Sequence, residues 1–441
     1  MTALPPGPRW PVLLQSVGLL RFRHRFLPAM HRRYGDVFTV RVLPTGAPLV
    51  LFTRPEHARE IFAGDPEVFH AGEGNAILGP VMGEHSLLLQ DAPEHQRSRR
   101  LLMPAFNGAA LRGYAPLVTE LARAEVAGWT PGRPFRSLDR MNALTLEVIL
   151  RVVFGVTDES RLARLRPLVL RTVDVTPLVL LGWGYPVLHR FPPWRDSVAD
   201  LRALDEVLYA EIADRRTSDL TARSDVLSRL LRVTGDERLT DRELRDQLVT
   251  LLLAGHETTA TALSWALYEL GRDPDQLAAA RAAATEGDDD HLEAVVKESM
   301  RLHPVIPMVV RRLTRPATVG GVELPEGVNV AASILLGHAR PDSHRDPDAF
   351  TPRRFLDGEV ATSTWIPFGG GVRRCIGAGF ALMEGVAVLR EVLLHHDVSL
   401  PDEAVDPPMV RNITSVPRHG ARIVVQPRSH MGVTRPGILD A

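Results

Sequence analysis

Cys375 is the only cysteine among 441 residues, and it stands in the run Phe368-Gly369-Gly370-Gly371-Val372-Arg373-Arg374-Cys375-Ile376-Gly377. One sulfur excludes an internal disulfide and a cysteine-rich zinc site. It can serve as the single axial thiolate of a haem iron, which pushes electron density toward the metal and favours O–O cleavage. The glycines, Gly369 and Gly377 among them, let the backbone pass close to a flat cofactor without Cβ clashes. Arg373 can meet an anionic haem propionate. The apolar run after Gly377 is compatible with a buried helix. Cys375 then falls at the start of that helix, where free N–H groups and the positive dipole end stabilise a thiolate.

A second group of reactive residues lies upstream, in Ala254-Gly255-His256-Glu257-Thr258-Thr259. It is embedded in apolar residues from Leu248 through Leu253, where a carboxylate is costly to bury unless it has a task or a partner. Gly255 weakens a helix by about 1 kcal/mol relative to alanine. Its missing side chain leaves room for a diatomic ligand. Thr258 can donate a hydrogen bond to bound oxygen, and Glu257 can pass protons inward through water. His256 and Thr259 read as structural.

Two charged groups complete the chemistry-bearing set. Glu298 and Arg301 stand at i, i+3 on one helical face, in a helix that Leu302-His303-Pro304 ends. His95 and Arg99 stand at i, i+4 on another face. The two propionates of a haem want such donors.

Taken together these segments resemble the cytochrome P450 superfamily, in its soluble bacterial-type form. Phe368, Gly371, Arg373, Cys375 and Gly377 match every fixed place of its Phe-x-x-Gly-x-Arg-x-Cys-x-Gly signature. Ala254–Thr259 resembles the oxygen-binding motif, Glu298/Arg301 the Glu-x-x-Arg motif, and His95/Arg99 a His-x-x-x-Arg propionate motif. The resemblance implies that Arg354, in Pro352-Arg353-Arg354-Phe355, completes the Glu298–Arg301 pair as structural support. Arg353 stands where the family often has Glu. It implies that Arg311 is a further propionate ligand, with Arg312 an adjacent candidate, and that Ala254 and Gly255 border the haem. Four stretches should then line a distal cavity. Their largely apolar content (Ile77, Leu78, Val81 and Met82, then Leu251, then Val305, Ile306, Met308 and Val309, then Ile413) points to a lipophilic substrate.

The implied activity is a haem-thiolate monooxygenase that uses haem b (iron protoporphyrin IX) to place one atom of O2 into a lipophilic small molecule, by hydroxylation or epoxidation. No length remains after Cys375 for a fused reductase. Electrons are therefore expected from NAD(P)H through a separate ferredoxin and ferredoxin reductase. Two other readings stay open. A peroxide-dependent peroxygenase is disfavoured because Glu257 and Thr258 are kept, and a non-catalytic haem-binding sensor is disfavoured for the same reason.

The bulk numbers agree with a large soluble core: 45% of residues are hydrophobic and 24% charged. A net charge of −1 argues against nucleic acid as a main partner. No apolar run is long enough for a membrane span. A Pro5-Pro6-Gly7-Pro8 hinge, which follows a membrane anchor in microsomal P450s, stands near the start, so the resemblance implies an anchorless, soluble form. A single free cysteine suits a reducing cytoplasm, and a monomer is expected.

The elements expected to position these groups are mainly helical, with a small β-rich lobe, in the cytochrome P450 fold. Strands are expected over Val37–Val42 and Pro48–Phe52, and again within Thr318–Val330 and Thr414–Val425. Helices are expected over Leu117–Val126, Arg140–Val153, Asp200–Arg215, Asp241–Gly271, His291–Leu302 and Ile376–Leu394. Thr240-Asp241-Arg242-Glu243 reads as a capping box that opens the long one. One domain is expected over 4–427, with 428–441 a mobile tail. The apolar, Pro- and Gly-bearing stretch 176–194 reads as a buried loop, a greasy lid or a membrane-touching surface.

Overall fold

The computed structural model describes residues 4–43, 45–155, 159–173, 179, 182, 183 and 185–428. The expected tail beyond 428 lies outside them. The chain opens with α1 (Val12–Arg21), α2 (Arg23–Tyr34), the strands β1 (Val37–Val42) and β2 (Ala47–Phe52), and α3 (Pro55–Ala63). The long helices that follow are α4 (Glu94–Leu102), α5 (Gly108–Ala127), α6 (Ser137–Phe154), α7 (Glu159–Val173) and α8 (Trp194–Arg216). Then come α9 (Asp241–Gly255), α10 (Glu257–Arg272), α11 (Pro274–Glu286), α12 (Asp289–Leu302) and, after the cysteine loop, α13 (Ala378–His395).

The β-rich lobe is a five-stranded sheet. β1 and β2 form the expected hairpin, with Val40 opposite Leu49. β2 then pairs in parallel with β8 (Asn329–Ser333), which carries β5 (Met308–Leu313) and β3 (Phe69–His70) outward. β4 (Phe135–Arg136), β12 (Arg422–Pro427) and β9 (His396–Ser399) form a second small sheet, and β6 (Ala317–Val319) pairs with β7 (Val322–Leu324). The small hairpin β10 (Pro408–Arg411) and β11 (Thr414–Pro417) stands apart from these sheets and reaches the helices.

One continuous apolar core joins α5, α6, α9, α10, α12 and α13. Val118, Leu150, Leu248, Leu263, Val295 and Val388 are fully buried in it. Each such side chain contributes roughly 1.5–3 kcal/mol through burial. This core holds α10 and α13 in fixed relation, so the oxygen-binding segment and the cysteine loop inherit its rigidity.

The helix expected over Asp241–Gly271 is two helices. Its start is as expected: the Thr240 hydroxyl accepts from the Glu243 N–H at 3.2 Å, and the Glu243 carboxylate accepts from the Thr240 N–H at 2.7 Å. The break falls at His256. Its Nδ1 lies 2.7 Å from the Leu252 carbonyl, and the Thr145 hydroxyl of α6 donates to the His256 carbonyl at 3.0 Å. Side chains inserted into the ladder in this way interrupt a helix.

His256 and His338 are buried, and burial lowers both from 6.5, to about 4 and about 3 respectively. His344 and Arg301 lower His338 further, and its Nε2 accepts the Ile366 N–H at 2.9 Å, which requires a neutral ring. The unfolded chain therefore takes up a proton near pH 6.5 that the native state refuses until about pH 3. The stability from this group is whole above 6.5 and is lost as pH falls. Glu384, buried on α13 and held well above its usual value by burial, acts in the opposite sense. Comparing wild type with His338→Gln isolates the histidine. Between about pH 6 and pH 4 the wild type should lose about 1.4 kcal/mol per pH unit more than the variant in urea melts. Equal slopes would contradict this.

Candidate haem-thiolate site

The cysteine loop is closed by its own backbone. Cys375 N–H donates to the Phe368 carbonyl at 2.9 Å, Gly369 N–H to Ile366 at 3.0 Å, and Arg374 N–H to Gly371 at 3.1 Å. Gly369 and Gly371 have φ of 65° and 63°, a region that disfavours a side chain. A Cβ on Gly371 would lie 2.0 Å from the Phe62 carbonyl oxygen of α3. The central glycines thus serve a close approach of this loop to α3. Gly377 does stand at the sulfur: a Cβ there would be 4.0 Å from Cys375 Sγ. Phe368 packs edge-on against Trp365.

Cys375 retains accessible surface, while the chain encloses the thiol itself closely enough for burial to push its pKa up. The Gly377 N–H bonded to the sulfur, with Arg99 and Arg374, pulls the other way. The helix α13 begins three residues later than the cysteine, with Gly377 at its N-cap.

Four cationic or imidazole side chains from three separate elements act on one another here. His95 of α4 is buried, and burial, then Arg373 and Arg99, lower it to about 3. Arg311 of β5 is buried and lowered to about 10 by burial and by Arg373, with Asp91 opposing. Arg99 of α4 is half-buried, lowered by burial and raised by Cys375. The strand alternation of β5 separates the two arginine candidates: Arg311 turns inward, while Arg312 pairs with Glu73 at 3.1 Å.

Arg373 departs from the simplest expectation. Its guanidinium is taken by Asp91 at 2.6 Å, by the Leu87 carbonyl at 3.2 Å and by the Gln90 carbonyl. It pins the 87–91 loop to the cysteine loop. Asp91 also accepts from the Ala71 and Gly72 N–H groups at 2.8 and 2.9 Å. The sequence reading did not include Asp91.

The expected oxygen-binding segment falls at the α9–α10 break. A Cβ on Gly255 would sit 2.8 Å from Ile149 Cδ1, so packing against α6 forbids a side chain there. This is a helix-contact reason for glycine, beside the ligand room expected from sequence. Ala254 is exposed and Thr258 half-buried. The Thr258 hydroxyl donates to the Ala254 carbonyl at 2.8 Å. Glu257 is buried, with Oε1 at 3.5 Å from Arg411 Nε of β10 and 3.4 Å from the Thr414 hydroxyl of β11. Thr414 lies 157 residues along the chain from Glu257, so no local sequence pattern announces the contact.

Glu298, Arg301 and Arg354 meet in a fully enclosed cluster. Arg301 binds Glu298 through two bonds of 2.7 and 2.9 Å, and Arg354 Nε reaches Glu298 at 3.0 Å. The remaining guanidinium N–H groups go to the carbonyls of His338, Pro347, Ala349 and Arg345. Glu298 also accepts the Thr351 N–H at 2.9 Å.

The expected pocket residues are dispersed. Leu251 and Val305 belong to the main core. Val81 is buried with Val179 and Trp183, beneath Trp194 and Leu253. Met308 and Val309 pack toward the two different apolar clusters flanking the sheet. Val309 also lies 3.8 Å from where Gly369 would carry a Cβ, which sets it beside the cysteine loop. Leu78 is half-buried, and Ile77 and Ile413 are exposed. Within 176–194, residues 176–178, 180, 181 and 184 lie outside the described residues, while Tyr185, Val187 and Phe191 are exposed.

A haem fits this donor set. Arg311 is a buried guanidinium whose only hydrogen bond among the described residues is to the neighbouring Val310 carbonyl, at 2.9 Å. A buried cation without a carboxylate partner asks for an anion. The chain matches the family model described as Cytochrome P450 over residues 4–425. It belongs to the cytochrome P450 family. It is 55% identical to cytochrome P450 135A1 of Mycobacterium tuberculosis over 98% of this chain and 97% of that one. It is 43% identical to cytochrome P450 135B1 of the same organism, over 98% and 93%. Retinoic acid bound cyanobacterial CYP120A1 shares the fold, with a TM-score of 0.86 at 24% identity, covering 97% of this chain and all of that one. The cytochrome P450DA heme domain has a TM-score of 0.82 at 25% identity, covering 97% and 98%. The protein is thus a cytochrome P450 monooxygenase, an oxidoreductase that binds haem iron and uses O2 and redox partners. No described helix is long and apolar enough to cross a membrane.

Proposed function

We propose that this P450 inserts one atom of O2 into a lipophilic small molecule, by hydroxylation or epoxidation, as a cytoplasmic monomer served by a ferredoxin and its NAD(P)H-dependent reductase. The observation that carries the reading is the Cys375 sulfur, bonded by the Gly377 N–H and acted on by Arg99. Haem b is the group proposed, with Cys375 on the iron and His95, Arg99 and Arg311 toward its propionates. Bound there, it supplies oxygen activation and C–H oxidation.

The protein's own residues do the rest. Arg311 and His95 anchor the anionic edge, and burial strengthens their hold. Arg373 acts through the 87–91 loop, keeping it closed on the cysteine side. Glu257 takes protons at Oε1, where Arg411 and Thr414 steady the carboxylate, and passes them toward Thr258. The Thr258 hydroxyl, parked on the Ala254 carbonyl, is the last protein group on that route. Apolar Val309, beside the cysteine loop, favours a substrate with few polar anchors. The fold's accommodation of retinoic acid in its cyanobacterial neighbour fits this. Val372 and Arg374 are exposed at the cysteine loop, where an acidic electron donor can approach.

Thr258→Ala tests the proton route. With surrogate ferredoxin and reductase, NAD(P)H consumption should persist while product per NAD(P)H falls about tenfold or more and peroxide rises. Undiminished coupling would remove Thr258 from the route. Displacement of the resting haem spectrum across a lipophilic library tests the substrate class. Binding confined to polar compounds would overturn it.

A further inference from the structure

The first helix buries Gln15, Ser16 and Leu19 and turns Leu13, Leu14 and Val17 outward. Gln15 and Ser16 of α1 are buried, while Leu13, Leu14 and Val17 are 60%, 55% and 43% exposed. Trp10 just before the helix and Phe22 just after it are each 49% exposed. A helix covering a soluble core has the reverse pattern.

Hydrogen bonds fix this orientation. Gln15 donates to the Pro8 and Trp10 carbonyls at 3.2 and 2.7 Å and accepts the Arg41 N–H at 2.8 Å. Ser16 donates to the Val12 carbonyl at 2.8 Å and accepts the Leu43 N–H at 2.9 Å. Arg41 lies in β1, the edge strand of the sheet, so α1 satisfies edge groups that would otherwise be unpaired. Rolling Leu13 and Leu14 inward would break these bonds and leave buried polar groups without partners. A few scattered exposed apolar residues need no explanation, whereas five large ones within one short segment do.

Charge says what covers them. Residues 1–35 contain six arginines and no acid, in a chain whose net charge is −1. Arg9, Arg21, Arg25, Arg32 and Arg33 are exposed. Arg23 is used internally: it donates to the Ile413 and Asn412 carbonyls, each at 3.0 Å, and ties this segment to the β10–β11 turn. Leucines flanked by an aromatic residue at each end and by exposed arginines match the interface of a bilayer with anionic headgroups. A ten-residue helix cannot span one, so it would lie in the surface plane.

We propose that α1 and its flanks form a peripheral docking surface for an anionic phospholipid bilayer, with Trp10, Leu13, Leu14, Val17 and Phe22 in the interface and the arginines at the headgroups. The inference is independent of the substrate reading above. It gives the enzyme a place where lipophilic compounds partition.

The test uses the full-length, haem-loaded protein in flotation with phosphatidylcholine vesicles, with and without about one third phosphatidylglycerol. Wild type should float with the anionic vesicles, less so at high salt, and only weakly with the zwitterionic ones. Leu13→Asp/Leu14→Asp should weaken partitioning by about tenfold or more, since both side chains are exposed and their apolar area drives insertion. Its haem spectrum and melting temperature should match wild type. Should that variant lose haem, Arg21→Glu/Arg25→Glu replaces it and should abolish the preference for anionic vesicles. Failure of wild type to float, or equal floating of the folded variants, would overturn the proposal. So would loss of electron uptake from an acidic ferredoxin in these variants without any vesicle binding by wild type, which would assign the surface to a protein partner.

Discussion

Cys375→His is expected to abolish oxygen insertion while leaving the fold in place. The loop is closed by backbone hydrogen bonds, Cys375 N–H to Phe368 and Arg374 N–H to Gly371, which do not involve the sulfur. The chain around it should therefore melt close to the wild-type temperature. The chemistry depends on the thiolate's electron donation, which a neutral imidazole does not match. The expected loss with surrogate redox partners is about a thousandfold or more, a barrier increase of about 4 kcal/mol. Turnover within about tenfold of wild type in a folded, haem-loaded variant would contradict the assignment.

The second large effect is on folding. Glu298→Ala leaves Arg301 and Arg354 enclosed without a carboxylate, and deprives the Thr351 N–H of its acceptor. Removing one partner of a buried pair costs about 3–5 kcal/mol. That is a large part of the roughly 5–15 kcal/mol by which a domain is stable. The variant should melt lower by on the order of 5 °C or more, and should retain less haem on purification. Glu298→Gln keeps an acceptor for Thr351 and should fall between the two. A melting temperature unchanged in Glu298→Ala would show that the cluster is not what holds the 338–354 segment to α12.

What the sequence revealed follows from how local each signal is. The β1–β2 hairpin, the Thr240–Glu243 capping box and the helices around Leu117–Val126 and His291–Leu302 are set by patterns a few residues long. The Glu298–Arg301 pair was legible for the same reason, being i, i+3 on one helix. The break at His256 was not, because Thr145, more than a hundred residues away, takes part in it. Asp91 on Arg373 and Arg411 on Glu257 were missed for a like reason: each is a tertiary contact between a loop or hairpin and a motif. The glycines show a subtler gap. Gly255 and Gly371 were legible as places needing no side chain, but the neighbours responsible are Ile149 and the Phe62 carbonyl. Hydrophobicity alone does not separate pocket from core: Leu251 and Val305 suit either, and both are buried in the main apolar cluster.

The whole account rests on sulfur ligation of the haem iron, and one absorption spectrum addresses it: the dithionite-reduced wild-type protein under carbon monoxide. Ligation by Cys375 predicts the strongly red-shifted Soret band that a thiolate opposite carbon monoxide produces. A band at the shorter wavelength typical of imidazole-ligated haem, in protein that is folded and fully loaded, would contradict it.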